Sequence, residues 1–414
     1  MDRPAAARKL AAARDLAAVL AFLALAFLGG RALLDAPQLQ KERVSRPEAE
    51  RDIAQFFAVL EKERPGAADY AVLKASASAA VASRLDEFSR VSVRDLAWAL
   101  AGGAAALRDS GTAVLWRPPR RWKDPEQKYP PFSVALRYGK FVVDAALDPG
   151  LAGAEVLELN GAPFRTFIAP ALARVSGETA PYREYLFCRG QAAWWDFSSL
   201  LAGLPAPEVR FKARDGRVFT RRAAPITGWE FRRLAWRPAP PGEQFYSQKK
   251  VAWFNAPAPR ASRRGRGAWD RFLRGLEARG MRYAVVDLRD AAGPDDGGAA
   301  YPLGLLAGPG GSGLRGRLTL LTGPGSGPAA AAFAAGFRAL GAGKIAGEAT
   351  GGTAGHYGAP KEFRLEASGI RFSASSRRFP GPDLPVQPDL PLTEALLRPW
   401  RGDARAFVLE ELLK

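Results

Sequence analysis

The stretch that most constrains the fold runs from Gly316 to Gly352. It reads Gly-Arg-Leu-Thr-Leu-Leu-Thr-Gly-Pro-Gly-Ser-Gly-Pro, then an alanine-rich run, then Gly-Glu-Ala-Thr-Gly-Gly. Leu318 to Leu321 is a short apolar run closed by turn residues, the pattern of a strand covered on both faces. Gly323 to Pro328 is a loop of turn formers. Ala329 to Leu340 is rich in strong helix formers, and Gly341 and Gly343 punctuate its end. Lys344-Ile-Ala-Gly is a second short strand. Strand, loop, helix and strand in this order imply a parallel pair with a crossover helix. The loop before the helix lies where helix N-terminal amides point into the crevice of an α/β sheet, which is where such folds present chemistry.

The rest of the chain is long enough to add further domains. It has 414 residues, 47% of them apolar and 25% charged, ordinary values for a globular protein. The formal charge of +18 is not ordinary. Excess basic charge suits nucleic acid or an anionic membrane surface. The arginines are scattered, with small clusters at Arg117–Lys123 and Arg260–Arg266, and no RNA-recognition aromatic motif, zinc spacing or long basic helix accompanies them. The expectation is a solvated basic surface and no nucleic-acid partner. A single cysteine, Cys188, rules out an intrachain disulfide, and with one histidine it makes a structural zinc site implausible. No metal or cofactor is expected.

The N-terminus carries a targeting signal. Arg3, Arg8, Lys9 and Arg14 precede an apolar run from Leu16 to Leu28, closed by Gly29-Gly30. This is the positive n-region and apolar h-region of an export signal. No clean Ala-x-Ala site follows, so an uncleaved anchor with the bulk of the chain exported, periplasmic or otherwise extracytoplasmic, is the companion expectation. Residues 1–30 form this signal or anchor and 31–46 a polar linker. Residues 47–110 are helical, with Ile53, Phe56, Phe57 and Leu60 at helix spacing. Residues 111–223 are a β-rich module of short strands. Its hairpin signals are Asn160-Gly161 and Arg214-Asp-Gly, and a helical, aromatic stretch from Phe164 to Leu204 interrupts it. Residues 224–268 are a connector with one strand candidate at Val251–Phe254, and 269–414 hold β-α-β-α-β, a mostly parallel sheet. The fold class is therefore α/β in the C-terminal core and multi-domain α+β overall.

These residues resemble the tail-specific, or C-terminal processing, serine protease family, which includes the tricorn core. Tyr283–Arg289 with the Gly293 loop is similar to its "(I/V)-D-L-R-x-N-x-G-G" strand and loop. Leu318–Phe333 is similar to its nucleophile strand, loop and helix. Gly347-Glu-Ala-Thr-Gly-Gly resembles its "G-E-x-T-x-G" turn, and Gln387-Pro-Asp-Leu-Pro its "x-Q-P-D" ending. Leu151–Gly161 looks like the "G-x-x-I-x-x-I-N-G" turn of the PDZ-like module many members carry. Leu107-Arg-Asp-Ser-Gly-Thr resembles the segment around a "D-x-H-T" motif.

The resemblance implies a serine nucleophile at the start of a helix, a lysine or histidine base, and an oxyanion hole. At the matching positions the sequence departs from it. The nucleophile position is Pro328, the lysine position reads Thr353, the histidine position reads Gly111, and the loop asparagine reads Ala291. The backbone amides of Gly293 and Ala329 remain as oxyanion-hole-like donors. Ser326, two residues before Pro328, is the candidate displaced nucleophile, and His356, the only histidine, its candidate base. The bland alternatives are a turn serine bonding its own backbone and a histidine with no catalytic partner. Asp287 and Arg289 read as an ion pair anchoring the loop. Tyr185, Phe187, Trp194 and Trp195 read either as a peptide groove or as core. The expected function is a catalytically degenerate serine-type peptidase fold that binds peptide or protein segments, with membrane attachment through its N-terminus. An active serine endopeptidase using Ser326 is the alternative. A binder of apolar small molecules, as in the related modules of the interphotoreceptor retinoid-binding protein, is the third reading.

Overall fold

A computed structural model describes residues 42–115, 129–189, 207–234, 240–308, 313–314, 316–397 and 403–412. The expected N-terminal signal or anchor, and Trp194 and Trp195, lie outside the described residues. Among the described residues, no helix is long and apolar enough to cross a membrane.

The first described elements are strand β1 (Arg43–Ser45), helices α1 (Arg46–Glu63) and α2 (Tyr70–Ala82), strand β2 (Arg90–Ser92) and helix α3 (Val93–Ala106). The start of α1 is fixed by Glu48, whose Oε2 accepts the Ser45 amide at 2.8 Å, which satisfies one of the donors a helix start leaves open. Ile53, Phe56, Phe57 and Leu60 all point inward, as their helix spacing requires. Their partners come from far along the chain. Phe56 meets Phe372 at 4.7 Å between ring centroids.

The β-rich module follows. Strand β3 (Ala113–Val114) precedes it. The module itself holds β4 (Phe132–Arg137), β5 (Lys140–Ala146), β6 (Glu155–Leu159), β7 (Ala162–Pro163), helices α4 (Phe164–Leu172) and α5 (Ala180–Arg189), and strands β8 (Glu208–Lys212) and β9 (Val218–Arg222). The strand order is β4-β5-β6-β8-β9, antiparallel throughout, with β7 against β6. Asn160 and Gly161 both adopt positive φ, 49° and 77°, the turn that the Asn-Gly pair favours because its twist matches the flanking strands. The run beginning at Thr112 does not join this module. Its strand β3 pairs instead with a strand near the C-terminus.

The core sheet begins inside the stretch read from sequence as connector. After helix α6 (Gly228–Leu234) come β10 (Gly242–Tyr246), β11 (Val251–Asn255), α7 (Arg263–Ala278), β12 (Tyr283–Asp287), α8 (Ala300–Ala307), β13 (Leu318–Thr322), α9 (Pro328–Ala339) and β14 (Gly343–Gly347). The chain continues with β15 (His356–Arg364), β16 (Arg371–Phe379), β17 (Leu390–Pro391) and the short helices α10 (Glu394–Leu397) and α11 (Ala404–Phe407). The sheet order is β10-β11-β12-β13-β14-β17, parallel except for the edge strand β10. Its central strands are buried on both faces. Trp269, Phe272, Phe333 and Phe337 cover one side, and Leu397, Ala404, Phe407 and Val408 the other. Two-sided cover explains why these strands read as continuous apolar runs rather than alternating ones. Strands β15 and β16 stand apart as a hairpin joined by β3, not as further strands of the parallel sheet. Residues Arg43–Lys414 form one compact unit.

Candidate functional site

Three loops leave the C-terminal ends of β12, β13 and β14 and interlock. The Gly327 amide donates to Ala291 O at 3.2 Å, the Gly352 amide to Ser326 O at 2.8 Å, and the Gly351 amide to Gly323 O at 3.2 Å. The approach is close enough to demand glycine. A Cβ on Gly351 would lie 1.9 Å from Pro324 O, and one on Gly327 would lie 2.8 Å from Gly293 N. The structure thus gathers Gly293, Ser326, Pro328 and the Gly351–Thr353 turn at the end of the sheet where α/β folds bind ligands.

Pro328 opens α9 and is buried. Its missing N–H costs nothing at the first helical position, and its ring supplies no nucleophile. Ala329 follows it, wholly buried. Ser326 is also wholly buried. Its hydroxyl donates to Leu288 O at 2.9 Å and accepts the Gly323 amide at 3.1 Å. The first bond ties this loop to the end of β12 and the second closes the serine's own turn, which is the turn-serine arrangement. The proposed nucleophile–base pair is not assembled, because His356 makes its contacts elsewhere. Its Nδ1 lies 3.1 Å from both Thr353 O and Ala354 O. Its ring stacks on Phe379, and its Nε2 lies 3.5 Å from Asp295 Oδ2. Thr353, at the lysine position, donates its hydroxyl to Gly355 O at 2.7 Å.

Gly111 explains itself sterically. A Cβ there would fall 2.2 Å from Ser375 Oγ and 3.5 Å from Pro294 Cβ. Around it, Asp109 is the centre of a buried polar cluster. It receives Arg64 Nη1 at 2.9 Å, Thr112 Oγ1 at 2.6 Å, Ser375 Oγ at 3.0 Å and the Gly111 amide at 2.9 Å. A buried carboxylate with this many donors is fully compensated. The segment that would carry a histidine is therefore bolted down as structure.

The residues that decide the chemistry here were not singled out from sequence. Tyr182, on α5, is fully buried. Its hydroxyl accepts the Gly293 amide at 3.1 Å and sits 2.5 Å from where a Gly327 Cβ would be. Burial holds its phenol well above the usual tyrosine range. The Gly293 amide, one of the two donors that the resemblance implies for an oxyanion, is thus occupied by a neutral side chain from the β-rich module. Glu178, at the foot of the same helix, accepts both the Ser110 amide at 3.0 Å and the Ser110 hydroxyl at 2.9 Å on one oxygen. Its other oxygen is buried without a partner. Burial, opposed by those bonds, pushes the carboxyl up to about 7. The available sequence signal was local: Thr179 accepts the Tyr182 amide at 3.2 Å, an N-cap pattern that orients Tyr182 on the first turn. Nothing local tells that this turn faces Gly293.

Beside this closed centre is an open cavity of about 360 Å³. Leu136 and Tyr138 from the β4–β5 hairpin, Tyr185 from α5, and Arg289, Asp290 and Glu348 from the sheet loops line it. Arg289 grips Asp287 with two bonds, Nε to Oδ1 at 2.9 Å and Nη2 to Oδ2 at 2.7 Å, so this pair anchors the loop as its sequence position suggested. Asp290 accepts the Tyr185 hydroxyl at 3.1 Å. Burial raises both Asp290 and Glu348 above the usual carboxylate range. Tyr185 and Phe187 are buried within the core of the β-rich module, with an edge of Tyr185 reaching the cavity. Among the described residues, no group of three or more His, Cys, Asp or Glu side chains is placed to hold a metal ion.

No family model matches the sequence, and no curated protein does. Solved structures match it. The structure of mature CPAF complexed with lactacystin aligns over 89% of this chain and 98% of that one, with a TM-score of 0.55 and 12% identity. Mature CPAF alone aligns over 89% and 97%, with a TM-score of 0.54 and 13% identity. The photosystem II D1 C-terminal processing protease aligns over 83% and 93%, with a TM-score of 0.43 and 14% identity. The chain has the fold of the tail-specific serine peptidases, a multi-domain α+β arrangement around an α/β core.

Proposed function

We propose that this chain is an exported protein that uses a tail-specific peptidase fold to bind peptide or protein segments without cleaving them. The observation that carries the reading is the Gly293 amide donating to the buried Tyr182 hydroxyl, next to a proline at the start of α9. Electrostatic stabilisation of a tetrahedral intermediate needs a free donor aimed at the developing charge, and covalent catalysis needs a nucleophile within reach of a base. Both places are filled by groups that serve the fold. What stays open is the neighbouring cavity. Its carboxylates, guanidinium and phenols suit the polar groups of a peptide better than an apolar small molecule.

The test uses the full-length chain with a serine-reactive fluorophosphonate, casein as an unfolded substrate, and an immobilised peptide array. The expected result is no labelling and no turnover, with a subset of peptides retained. Tyr138→Ala and Glu348→Gln should each weaken the retained peptides several-fold. Labelling that disappears in Ser326→Ala would replace this reading with an active peptidase. Peptide retention indifferent to both cavity substitutions would remove the cavity as the binding site.

A further inference from the structure

Helix α7 carries much of the basic cluster noted in the sequence, and the fold gives that cluster a direction. Trp269, Phe272 and Leu276 are buried against the sheet. At 100° per residue, Arg263, Arg264, Arg271 and Arg274 fall within an arc of about 100° on the opposite side. All four are exposed. The acidic residues of the helix, Asp270 and Glu277, lie outside that arc, and Asp270 is already engaged as acceptor of the Tyr301 hydroxyl at 2.7 Å. Among the described residues, none of these four guanidinium groups takes part in a hydrogen bond or ion pair. Arg266 is different, because its guanidinium lies over the Tyr301 ring. The stripe from Arg263 to Arg274 is about 17 Å long at 1.5 Å per residue.

From this geometry we infer that the exposed face of α7 docks on a bilayer surface bearing anionic phospholipid headgroups. Four unpaired guanidinium groups in a row match a plane of phosphates. Each arginine near such a surface contributes about a fivefold factor in partitioning. Like charges along one helix face repel one another, and a plane of phosphates offsets that repulsion. The inference stands whether or not the cavity binds peptides.

The full-length chain would be inserted in lipid nanodiscs of zwitterionic lipid alone, or of the same lipid with about one-third phosphatidylglycerol. Phenylglyoxal modification of each arginine would then be followed by mass spectrometry. Arg263, Arg264, Arg271 and Arg274 should react at least about fivefold more slowly on the anionic discs at low salt. The protection should largely vanish at high salt, where charges are screened within a few ångströms. In a variant with all four changed, Arg263→Gln, Arg264→Gln, Arg271→Gln and Arg274→Gln, the adjacent Arg260 should react equally fast on both discs. Equal rates for the four arginines on both discs would overturn the inference. So would protection by a DNA or RNA oligonucleotide at matched phosphate that anionic discs fail to give, which would make the stripe a nucleic-acid surface.

Discussion

Burial has placed a carboxylate, Glu178, with one oxygen held by Ser110 and the other facing no donor. Unfolded, it titrates near 4.5; folded, burial moves it to about 7. Between those values the folded state keeps a proton that the unfolded chain has lost. The contribution of this group to stability is therefore fully present below about pH 4.5 and declines as pH rises through 7. The full shift would correspond to about 3 kcal/mol, and partial solvent contact reduces it to about 1–3 kcal/mol. Glu178→Gln keeps an acceptor for Ser110 and removes the charge. Its melting temperature should exceed that of the parent by a few degrees at pH 8.5, and the gap should close by pH 4.5, as calorimetry at the two pH values would show. A pH-independent gap would refute the linkage. Ser326 makes the complementary case. Ser326→Ala leaves the Gly323 amide without its acceptor in a closed interior and removes one of the two donors to Leu288 O, which keeps the Ala291 amide at 2.9 Å. Losing such buried bonds should cost about 1–3 kcal/mol in urea denaturation, and an unchanged midpoint would contradict the structural role given to this hydroxyl.

At the scale of elements, the loops and helices differ in how much space surrounds their glycines. Gly351 sits where a Cβ would lie 1.9 Å from Pro324 O and 2.8 Å from Tyr182 Cδ2. Backbone cannot retreat cheaply there, so Gly351→Ala should destabilise the loop junction by several kcal/mol, at the upper end of single-site effects. Gly304, in the exposed part of α8, has nothing within 4 Å of its Cβ position. Gly304→Ala should stabilise by about 0.5–1 kcal/mol through helix propensity alone. Thermal unfolding of the two variants beside the parent tests both signs at once. The same contrast explains what could be read from the chain. Buried parallel strands such as β12 and β13 announce themselves as apolar runs between turn residues, and α1 by its spacing of Ile53, Phe56, Phe57 and Leu60. Strand β11 shows as the apolar run Val251–Phe254, whereas the edge strand β10 hides within a stretch rich in Trp, Pro and Arg, because its residues are only half buried or exposed. The placement of β3 beside β16 was not legible, since a two-residue strand carries no period and its partner lies more than 250 residues away.

At the scale of the whole molecule, the site was legible as absences and not as replacements. Pro328, Thr353 and Gly111 could be seen to differ from the side chains that the family resemblance implies. That Tyr182 fills one gap and Ser375 another depends on contacts between remote segments, which periodicity does not encode. Those fillings lead to the last prediction. If those positions surrounded an empty peptidase frame, introducing a serine and a histidine there would supply chemistry. Here the double variant Gly111→His with Pro328→Ser should neither label with fluorophosphonate nor cleave casein. A side chain at 111 starts 2.2 Å from Ser375 Oγ, so an imidazole must turn that hydroxyl out of its bond to Asp109 or point away. The new hydroxyl at 328 would gain a helix N-terminus but no base, and the Gly293 amide would still donate to Tyr182. Catalysis is lost when reacting groups are misplaced by about 1 Å, and this misplacement is larger. Adding Tyr182→Phe frees the amide but leaves the ring in place, so the triple variant should also stay inert while remaining folded by circular dichroism. Labelling of the double variant at position 328 would mean that the crevice opens far enough in solution to admit a substrate, and the closed centre would then be one state of a working peptidase frame.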